Sequence, residues 1–331
     1  MTVRRRDLFA LDFSRRSAPA ASWLRVHRTA MACRFEVTLP PAEASQVDAA
    51  REALNEADRI EALLTVFRDT SEASRLNREG AGAGARTIPE VFDLLQRCAR
   101  LHAETGGAFD VTSTPLSRTW GFLRREGRVP RGEEIDAARA LVGLDRVALD
   151  PLALTVRFAA PGMALNFGAI GKGYAVDRMG GLLRARTVRH ALVSAGGSSV
   201  LAVGGHGRGW PIDIRSSRVR SGRIARIYLR DGALGTSGAG EQFVVVDGTR
   251  YGHVIDPRTG WPTRGVVSAS VITGDATRAD ALSTAFLIGG PDLARRYCDA
   301  HPETMALLLG EAHGALEVFG RFSGVTVVRS R

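Results

Sequence analysis

Apolar residues recur along this chain at the spacings of both helices and strands. In the segment 42–64, Ala53, Ala57, Ile60 and Leu64 follow one another at three or four residues, which puts them on one helix face. A proline is tolerated in the first turn of a helix, and position 89 fits that place. These patterns predict helices over 42–64, 89–104, 130–142, 173–183, 279–288 and 291–300.

Strands are predicted where apolar and polar residues alternate, or where short apolar runs lie between turn residues. The dipeptide Asp247-Gly248 is a common hairpin turn. Strands are expected over 23–39, 164–167, 190–194, 199–203, 210–215, 223–229, 266–273, 304–309 and 315–319, with hairpins at 146–158 and around Asp247-Gly248. The segment 106–122 is rich in Gly, Thr, Ser and Pro, so mostly loop is expected. Helices mixed with hairpins indicate an α+β fold of mixed sheets with flanking helices.

Length and composition indicate one soluble globular unit. The 331 residues are 44% hydrophobic, enough to bury a large core. No run approaches the roughly 18 apolar residues of a membrane-spanning helix, so no integral membrane segment is expected. No internal repeat or long linker divides the chain. We expect a single compact unit over 25–331, preceded by a disordered basic arm over 1–24. The sequence leaves the oligomeric state open.

The first residues bear on the compartment. The run Arg4-Arg5-Arg6-Asp7-Leu8-Phe9 resembles a twin-arginine export signal. The apolar stretch that should follow is interrupted by Asp12, Arg15 and Arg16. Three widely spaced cysteines form neither a disulfide framework nor a zinc motif. A cytoplasmic location is predicted, with export to the periplasm by a degenerate twin-arginine signal as the alternative.

The charge is strongly basic, but no nucleic-acid binding is predicted from it. A formal charge of +10 would suit DNA or RNA, yet the Arg residues are scattered and no recognition motif accompanies them. Against this Arg-rich background, Lys172 is the only lysine of the chain. A lone Lys suggests a site that needs a compact ammonium rather than a planar guanidinium.

Lys172 lies in a glycine-rich turn between a predicted strand and a predicted helix. Gly168, Gly171 and Gly173 would let backbone N–H groups approach a polyanion, and a helix N-terminus favours negative charge. The spacing matches neither the Walker A loop nor the Rossmann fingerprint. Phosphate binding and a simple tight turn both stay open for this segment.

Two further segments contain candidate catalytic and metal-binding groups. His253 precedes a turn at 256–260, where an imidazole could move a proton; alternatively Asp256 only caps the turn and His253 is a satisfied histidine at the edge of the fold. Asp280 and Thr284 are four residues apart and share one face of the predicted helix. With backbone carbonyls and phosphate oxygens they could hold Mg2+, unless Asp280 is simply a helix cap.

A fourth segment, 106–110, is followed by Trp120-Gly121-Phe122. An aromatic ring beside small residues and a carboxylate, as in Ala108-Phe109-Asp110, can stack on a flat ligand and accept its N–H groups. Loop aromatics also often fill the core, so both interpretations stay open.

In combination these segments resemble the ApbE family of FAD:protein FMN transferases. The resemblance extends from about residue 29 to 290 and keeps the order of the family's motifs. Its pieces lie at 31–35, 67–68, 71–77, 107–110, 120–122, 168–177, 194–197, 236–238, 253–257, 259–260 and 279–284.

The resemblance implies an ApbE-type (T-fold-like) fold, Mg2+, and FAD as the donor substrate. The FMN moiety would pass to a Ser or Thr hydroxyl of a target flavoprotein, within an Asp-x-x-Ser/Thr-Gly-Ala-Ser/Thr motif, with release of AMP. By position, Mg2+ would be held by the carbonyl of Ala169 and the side chains of Asp280 and Thr284. FAD would be contacted by Met31, Phe67, Ala108, Phe109, Asp110, Asn166, Lys172 and Ile255. The catalytic base would be His253 or a carboxylate near the metal, where Asp280 lies.

Three positions depart from the family's pattern. Asn166 stands where Asp is usual, Ser198 where an acidic or amide residue is usual, and Ala239-Gly240 where Asp-Tyr is common. These changes bear on FAD affinity and acceptor choice more than on the fold. Two other functions stay open. One is a Mg-dependent FAD pyrophosphatase that gives FMN and AMP, which the same metal site would serve; the other is a non-catalytic FAD-binding assembly factor, which the changes at Asn166 and Ser198 keep possible.

Overall fold

The fold is built from helices interspersed with antiparallel strands. The computed structural model describes residues 23–124, 126–205, 207–215, 222–240, 243–311 and 316–329. In these ranges the helices are α1 Val47–Leu64, α2 Glu72–Glu79, α3 Pro89–Glu104, α4 Thr114–Thr119, α5 Gly132–Arg139, α6 Gly171–Ala185 and α7 Ala276–Ala300. Short 3-10 helices span Pro41–Gln46, Phe122–Arg124 and Leu144–Arg146. The predicted arm over 1–24 lies outside the described residues except for Trp23 and Leu24.

The strands form one large sheet and three small ones. They are β1 Leu24–Ala30, β2 Cys33–Leu39, β3 Ala85–Arg86, β4 Val147–Asp150, β5 Thr155–Phe158, β6 Ala191–Ala195, β7 Ser199–Val203, β8 Trp210–Arg215, β9 Arg223–Leu229, β10 Gly232–Gly238, β11 Phe243–Val246, β12 Thr249–Gly252, β13 Val266–Thr273, β14 Met305–Gly310, β15 Leu316–Gly320 and β16 Val325–Arg329. The large sheet has the order β1-β2-β6-β7-β10-β13-β14-β15, and its described pairings are antiparallel. The small sheets are β16-β9-β8, β3-β5-β4 and β11-β12.

Both faces of the large sheet are covered. Helices α1, α6 and α7 pack on one face, where Leu201 and Val271 point into the main core. On the other face, Val200 and Ile272 pack against Trp210 and its neighbours in the β16-β9-β8 sheet. This confirms the predicted α+β class: helices cover one face of the large sheet and a second, smaller sheet covers the other. No helix in the described ranges is long and apolar enough to cross a bilayer.

Several elements differ from the sequence prediction. The segment 23–39 is a hairpin rather than one strand, because Met31 and Ala32 both adopt positive φ, 48° and 56°, and turn the chain. The segment 164–167 forms no strand; Ala164 makes only an isolated bridge to Ser113. The last two predicted helices are confirmed as the two helical parts of α7, which are separated by a kink at Gly290, where φ is 67° and ψ is −164°.

Candidate functional site

The predicted site residues gather on two adjoining cavities. A cleft of about 310 Å³ lies between α4, the start of α6, β10, the loop after β12, and α7. Its lining includes Ala108, Phe109, Asp110, Asn166, Ala169, Lys172, His253, Ile255, Asp280 and Thr284. A second cavity of about 280 Å³ is lined by Met31 and Phe67. Asn166, Gly168 and Lys172 line both cavities, so the glycine-rich turn lies at their junction.

The starts of α6 and α7 meet at this junction. The backbone N–H of Gly173 donates to Asp280 Oδ2 over 2.7 Å, and Lys172 Nζ lies 3.8 Å from the same oxygen. A Cβ atom on Gly173 would lie 2.1 Å from the carbonyl oxygen of Ala276, so only glycine allows this approach. The ammonium and the carboxylate are thus fixed by one helix contact.

Asp280 is a buried site residue rather than the cap of its helix. It is 3% exposed, and Ser199 Oγ donates to its Oδ1 over 2.5 Å. The N-cap of α7 is Asp275, whose side chain accepts from the N–H of Arg278 over 2.8 Å. The capping alternative for Asp280 is therefore wrong.

Hydroxyl groups surround the second predicted side-chain ligand. Ser237 Oγ lies 3.0 Å from Thr284 Oγ1 and 2.8 Å from Ser283 Oγ. Ser283 Oγ also donates to the carbonyl of Asp280 over 2.8 Å. The sequence indicated Thr284 by its spacing from Asp280, but it did not single out Ser199 and Ser283. Ser283 is a neighbour of both residues along α7 itself, whereas Ser199 reaches Asp280 only when β7 and α7 pack together.

A second carboxylate holds the start of α7. Asp177, on α6, accepts hydrogen bonds from the N–H groups of Ala276 and Thr277, both over 2.8 Å, and from the Thr277 hydroxyl. Burial and the nearby charge of Asp275 raise the pKa of Asp177 to about 6, although these hydrogen bonds act in the opposite direction.

On the other wall, Asp110 is engaged within the protein. Its Oδ1 accepts from the N–H and hydroxyl of Thr112 over 2.7 and 2.6 Å, and its Oδ2 accepts from the N–H of Leu144 over 3.1 Å. His102 Nδ1 lies 3.3 Å from Oδ2. Burial lowers the pKa of His102, but the hydrogen bond and charge of Asp110 outweigh it, so this pKa is raised. Asp110 thus organises the loop that lines the cleft.

The Phe109 ring is 1% exposed and belongs to the main core. Ala108 beside it is fully buried and also lines the cleft. The Phe109 ring therefore fills the core, as the second interpretation expected. The segment 108–110 contributes mainly backbone atoms to the lining of the cleft.

The loop after β12 positions His253 at the cleft. Asp256 accepts from the N–H of Arg258 over 3.0 Å and from its guanidinium over 2.8 Å. The Trp120 indole donates to the carbonyl of Gly260 over 2.9 Å and so ties the loop to α4. Asp256 thus caps the turn and binds Arg258, as the alternative interpretation of this segment expected.

The comparisons with known proteins agree with the motifs. The family model of the ApbE family matches residues 31–309. A protein of Treponema pallidum named FAD:protein FMN transferase is 31% identical over 275 residues, 78% of this chain and 76% of its own. One of the same name from Salmonella typhimurium is 29% identical over 259 residues, 76% and 74% of the two chains.

Solved structures give the same result. The crystal structure of the ApbE protein from Thermotoga maritima superposes with a TM-score of 0.82 at 31% identity, and the alignment covers 90% of this chain and 97% of the other. The family model covers well over half of the chain. This chain belongs to the ApbE family.

Proposed function

We propose that this protein is an FAD:protein FMN transferase, which moves the FMN half of FAD onto a Ser or Thr hydroxyl of a target flavoprotein. The curated relatives named for this activity support the proposal. The observation that carries it is the junction of α6 and α7, where Lys172, Asp280 and Thr284 face one cleft. Cleavage of a pyrophosphate needs positive charge beside the phosphate oxygens, which an ammonium and a metal ion supply.

Mg2+ fits the oxygen donors of this junction. Mg2+ in proteins commonly uses one or two carboxylates together with substrate phosphates. Each oxygen of Asp280 accepts one described hydrogen bond, which leaves further lone pairs for a cation. Thr284 Oγ1 and the Ala169 carbonyl would complete the protein's share. In the described ranges no group of three or more His, Cys, Asp and Glu side chains could hold a metal alone, so phosphate oxygens would be needed here.

The two cavities match the two halves of FAD. We place the flavin in the larger cleft and the adenosine in the cavity of Met31 and Phe67. The pyrophosphate would then lie at the shared residues Asn166, Gly168 and Lys172. There the start of α6 and the Lys172 ammonium both favour an anion. When bound, Mg2+ would neutralise charge on the same phosphate oxygens.

The transfer requires a base for the acceptor hydroxyl. The acceptor oxygen forms a bond to the FMN phosphorus, the bond from that phosphorus to the AMP oxygen breaks, and AMP leaves. His253 lines the cleft and is the better base, because Asp280 is buried and its remaining lone pairs would be used by the metal ion. His253 would take the hydroxyl proton as the new bond forms.

A mass measurement tests the proposal. The protein is incubated with FAD, Mg2+ and a fragment that carries the Asp-x-x-Ser/Thr-Gly-Ala-Ser/Thr motif. We expect the fragment to gain FMN, and Asp280→Ala to abolish the gain. Asp48→Ala, which alters an exposed carboxylate on α1 with 88% side-chain exposure, is the matched control and should transfer normally.

The other outcomes separate the remaining functions. Free FMN and AMP with an unmodified fragment would identify a pyrophosphatase. Intact, bound FAD would identify an assembly factor. In either case the transferase proposal would be wrong for this acceptor sequence.

A further inference from the structure

Ser199 is the first residue of β7, a strand whose five residues are all buried. Along this strand Leu201 and Val203 belong to the main core beneath the helices, and Ser199 shares their face by the period of two. Ser199 itself is 0% exposed. A hydroxyl buried in such a place needs an acceptor, because an unpaired polar group is costly.

That acceptor is Asp280, which lies 81 positions further along the chain. Ser199 pairs with Gly235 on the neighbouring strand β10. A Cβ atom on Gly235 would lie 2.4 Å from Ala279 and 2.6 Å from the nitrogen of Asp280. The missing side chain lets α7 approach the sheet closely enough for the Ser199 hydroxyl to reach Oδ1 over 2.5 Å.

We propose that Ser199 is a positioning residue for the metal ligand Asp280, a role that rests on the magnesium site proposed above. Gly173 N–H holds Oδ2 and Ser199 holds Oδ1, so the plane of the carboxylate is fixed from both sides. Lys172 lies on the Oδ2 side, at 3.8 Å. With this orientation fixed, the remaining lone pairs of Asp280 can point at an ion beside Thr284. Without the hydroxyl, the carboxylate would be held on one side only.

Hydrogen-bonding partners of metal ligands affect metal affinity measurably. Loss of such a partner typically weakens metal binding or activity by about 10- to 100-fold. We expect Ser199→Ala to raise the Mg2+ concentration needed for half-maximal binding by about this factor. FAD binding in the absence of Mg2+ should be unchanged, because Ser199 lines neither cavity.

The test measures Mg2+ binding rather than transfer. Mg2+ is titrated into the full chain in the presence of ADP, whose diphosphate supplies phosphate oxygens, and both the binding heat and the rise in Tm are followed. Thr87→Ala is the matched control, since that buried hydroxyl also donates to a carboxylate, Glu72 Oε1, over 2.5 Å, but lines neither cavity. Ser199→Ala should lose most of the Mg2+-dependent rise in Tm, while Thr87→Ala keeps it.

A double-mutant cycle separates positioning from a purely structural role. In the Asp280→Asn background, Ser199→Ala should cause no further loss of Mg2+ binding, because the ligand is already absent. If Ser199→Ala lowers Tm equally with and without Mg2+, Ser199 only satisfies its own burial and the inference is wrong. If the wild-type protein binds no Mg2+, the proposed site and this inference fail together. Normal Mg2+ binding without FMN transfer would overturn the proposed function alone.

Discussion

The backbone N–H of Gly173 donates to Asp280 Oδ2 over 2.7 Å, although the two residues are 107 positions apart in the chain. This contact joins the start of α6 to α7. It brings the only lysine of the chain, Lys172, to 3.8 Å from the same carboxylate oxygen. The cationic and anionic groups of the cleft are therefore positioned by backbone geometry, which makes the packing of these two helices sensitive to any added atom.

Gly173→Ala should disrupt both stability and the site. The added Cβ would lie 2.1 Å from the Ala276 carbonyl oxygen and 2.9 Å from Asp280 Cβ, so α6 and α7 must move apart. Overpacking of this kind costs about 1–3 kcal/mol. Chemical denaturation should show this loss, and FMN transfer should fall with it.

Gly181 on the same helix provides the control. A Cβ at Gly181 would have nothing within 4 Å, and Gly181 is exposed. Gly181→Ala should therefore stabilise the protein by up to about 1 kcal/mol through helix propensity. Equal stability of the two variants would contradict the close helix contact.

Asp177 should make stability depend on pH. Its pKa in the folded protein is about 6, above the roughly 3.9 of an unfolded Asp, because burial and Asp275 disfavour the charge. A raised carboxyl pKa means that its stabilising contribution is fully present below about pH 4. That contribution is lost as pH rises through 6 and amounts to up to about 3 kcal/mol.

The measurement compares wild type with Asp177→Asn, which cannot titrate. Asn is expected to be less stable by a constant amount, because it loses one acceptor for the N–H groups of Ala276 and Thr277. In addition to this constant difference, the excess unfolding free energy of wild type over the variant should decrease between pH 4 and pH 7. A difference in unfolding free energy that stays flat across this range would show that Asp177 is charged throughout.

The elements that the sequence predicted well are those with local signals. Pro89 opens α3, which spans Pro89–Glu104 as expected, and Asp247-Gly248 turns between β11 and β12. Strand β10, Gly232–Gly238, was missed because three of its seven residues are glycine, which is typical of loops. At Gly235 the need for glycine comes from tertiary packing, because a side chain there would collide with α7. Strand β16 was also missed.

The residues of the candidate site also differ in whether the sequence alone could indicate them. Lys172, Asp280 and Thr284 stood out because the first is unique and the others have helical spacing. Ser199 carried no such signal, since its role appears only when β7 and α7 come together. The FAD contacts of Met31, Phe67 and the other predicted residues stay predictions, and the positions of these residues on the two cavities support them.

Lys172 permits a chemical test because no other lysine competes for an amine-reactive reagent. Its side chain is 28% exposed, so acetylation should reach it. FAD with Mg2+ should slow this acetylation, as peptide mapping by mass spectrometry would show. Lys172→Ala should lower kcat/KM by about 100-fold. Lys172→Arg should keep only part of the wild-type kcat/KM, because a planar guanidinium replaces a compact ammonium. Acetylation at an unchanged rate with FAD present would place the pyrophosphate elsewhere.

His253→Gln should slow transfer by about 100- to 10,000-fold, the usual effect of a lost general base. FAD affinity should stay close to wild type, so the effect is expected in kcat. Asp256→Asn is the comparison variant: it weakens the contact with Arg258 but leaves the imidazole in place, and a much smaller loss is expected. Single-turnover kinetics with the acceptor fragment would measure the transfer rate of each variant. Similar losses in both variants would indicate that the loop, not the imidazole, limits the reaction.

Phe67 tests the placement of the adenosine half. Its side chain is 76% exposed beside the smaller cavity, so its ring is open to contact with a ligand there. Because it is so exposed, Phe67→Ala should change the unfolding free energy by no more than about 0.5 kcal/mol. Loss of an aromatic stacking partner should weaken FAD binding by about 0.5–1.5 kcal/mol, roughly 2- to 13-fold.

Flavin fluorescence titration would measure this change, with Leu152→Ala as the control because Leu152 is 97% exposed and lines neither cavity. The same titration with FMN in place of FAD makes the test specific, since FMN lacks the adenosine. Phe67→Ala should bind FMN as wild type does and bind only FAD more weakly. Equal weakening for both flavins would move the flavin ring, rather than the adenosine, to the cavity of Met31 and Phe67.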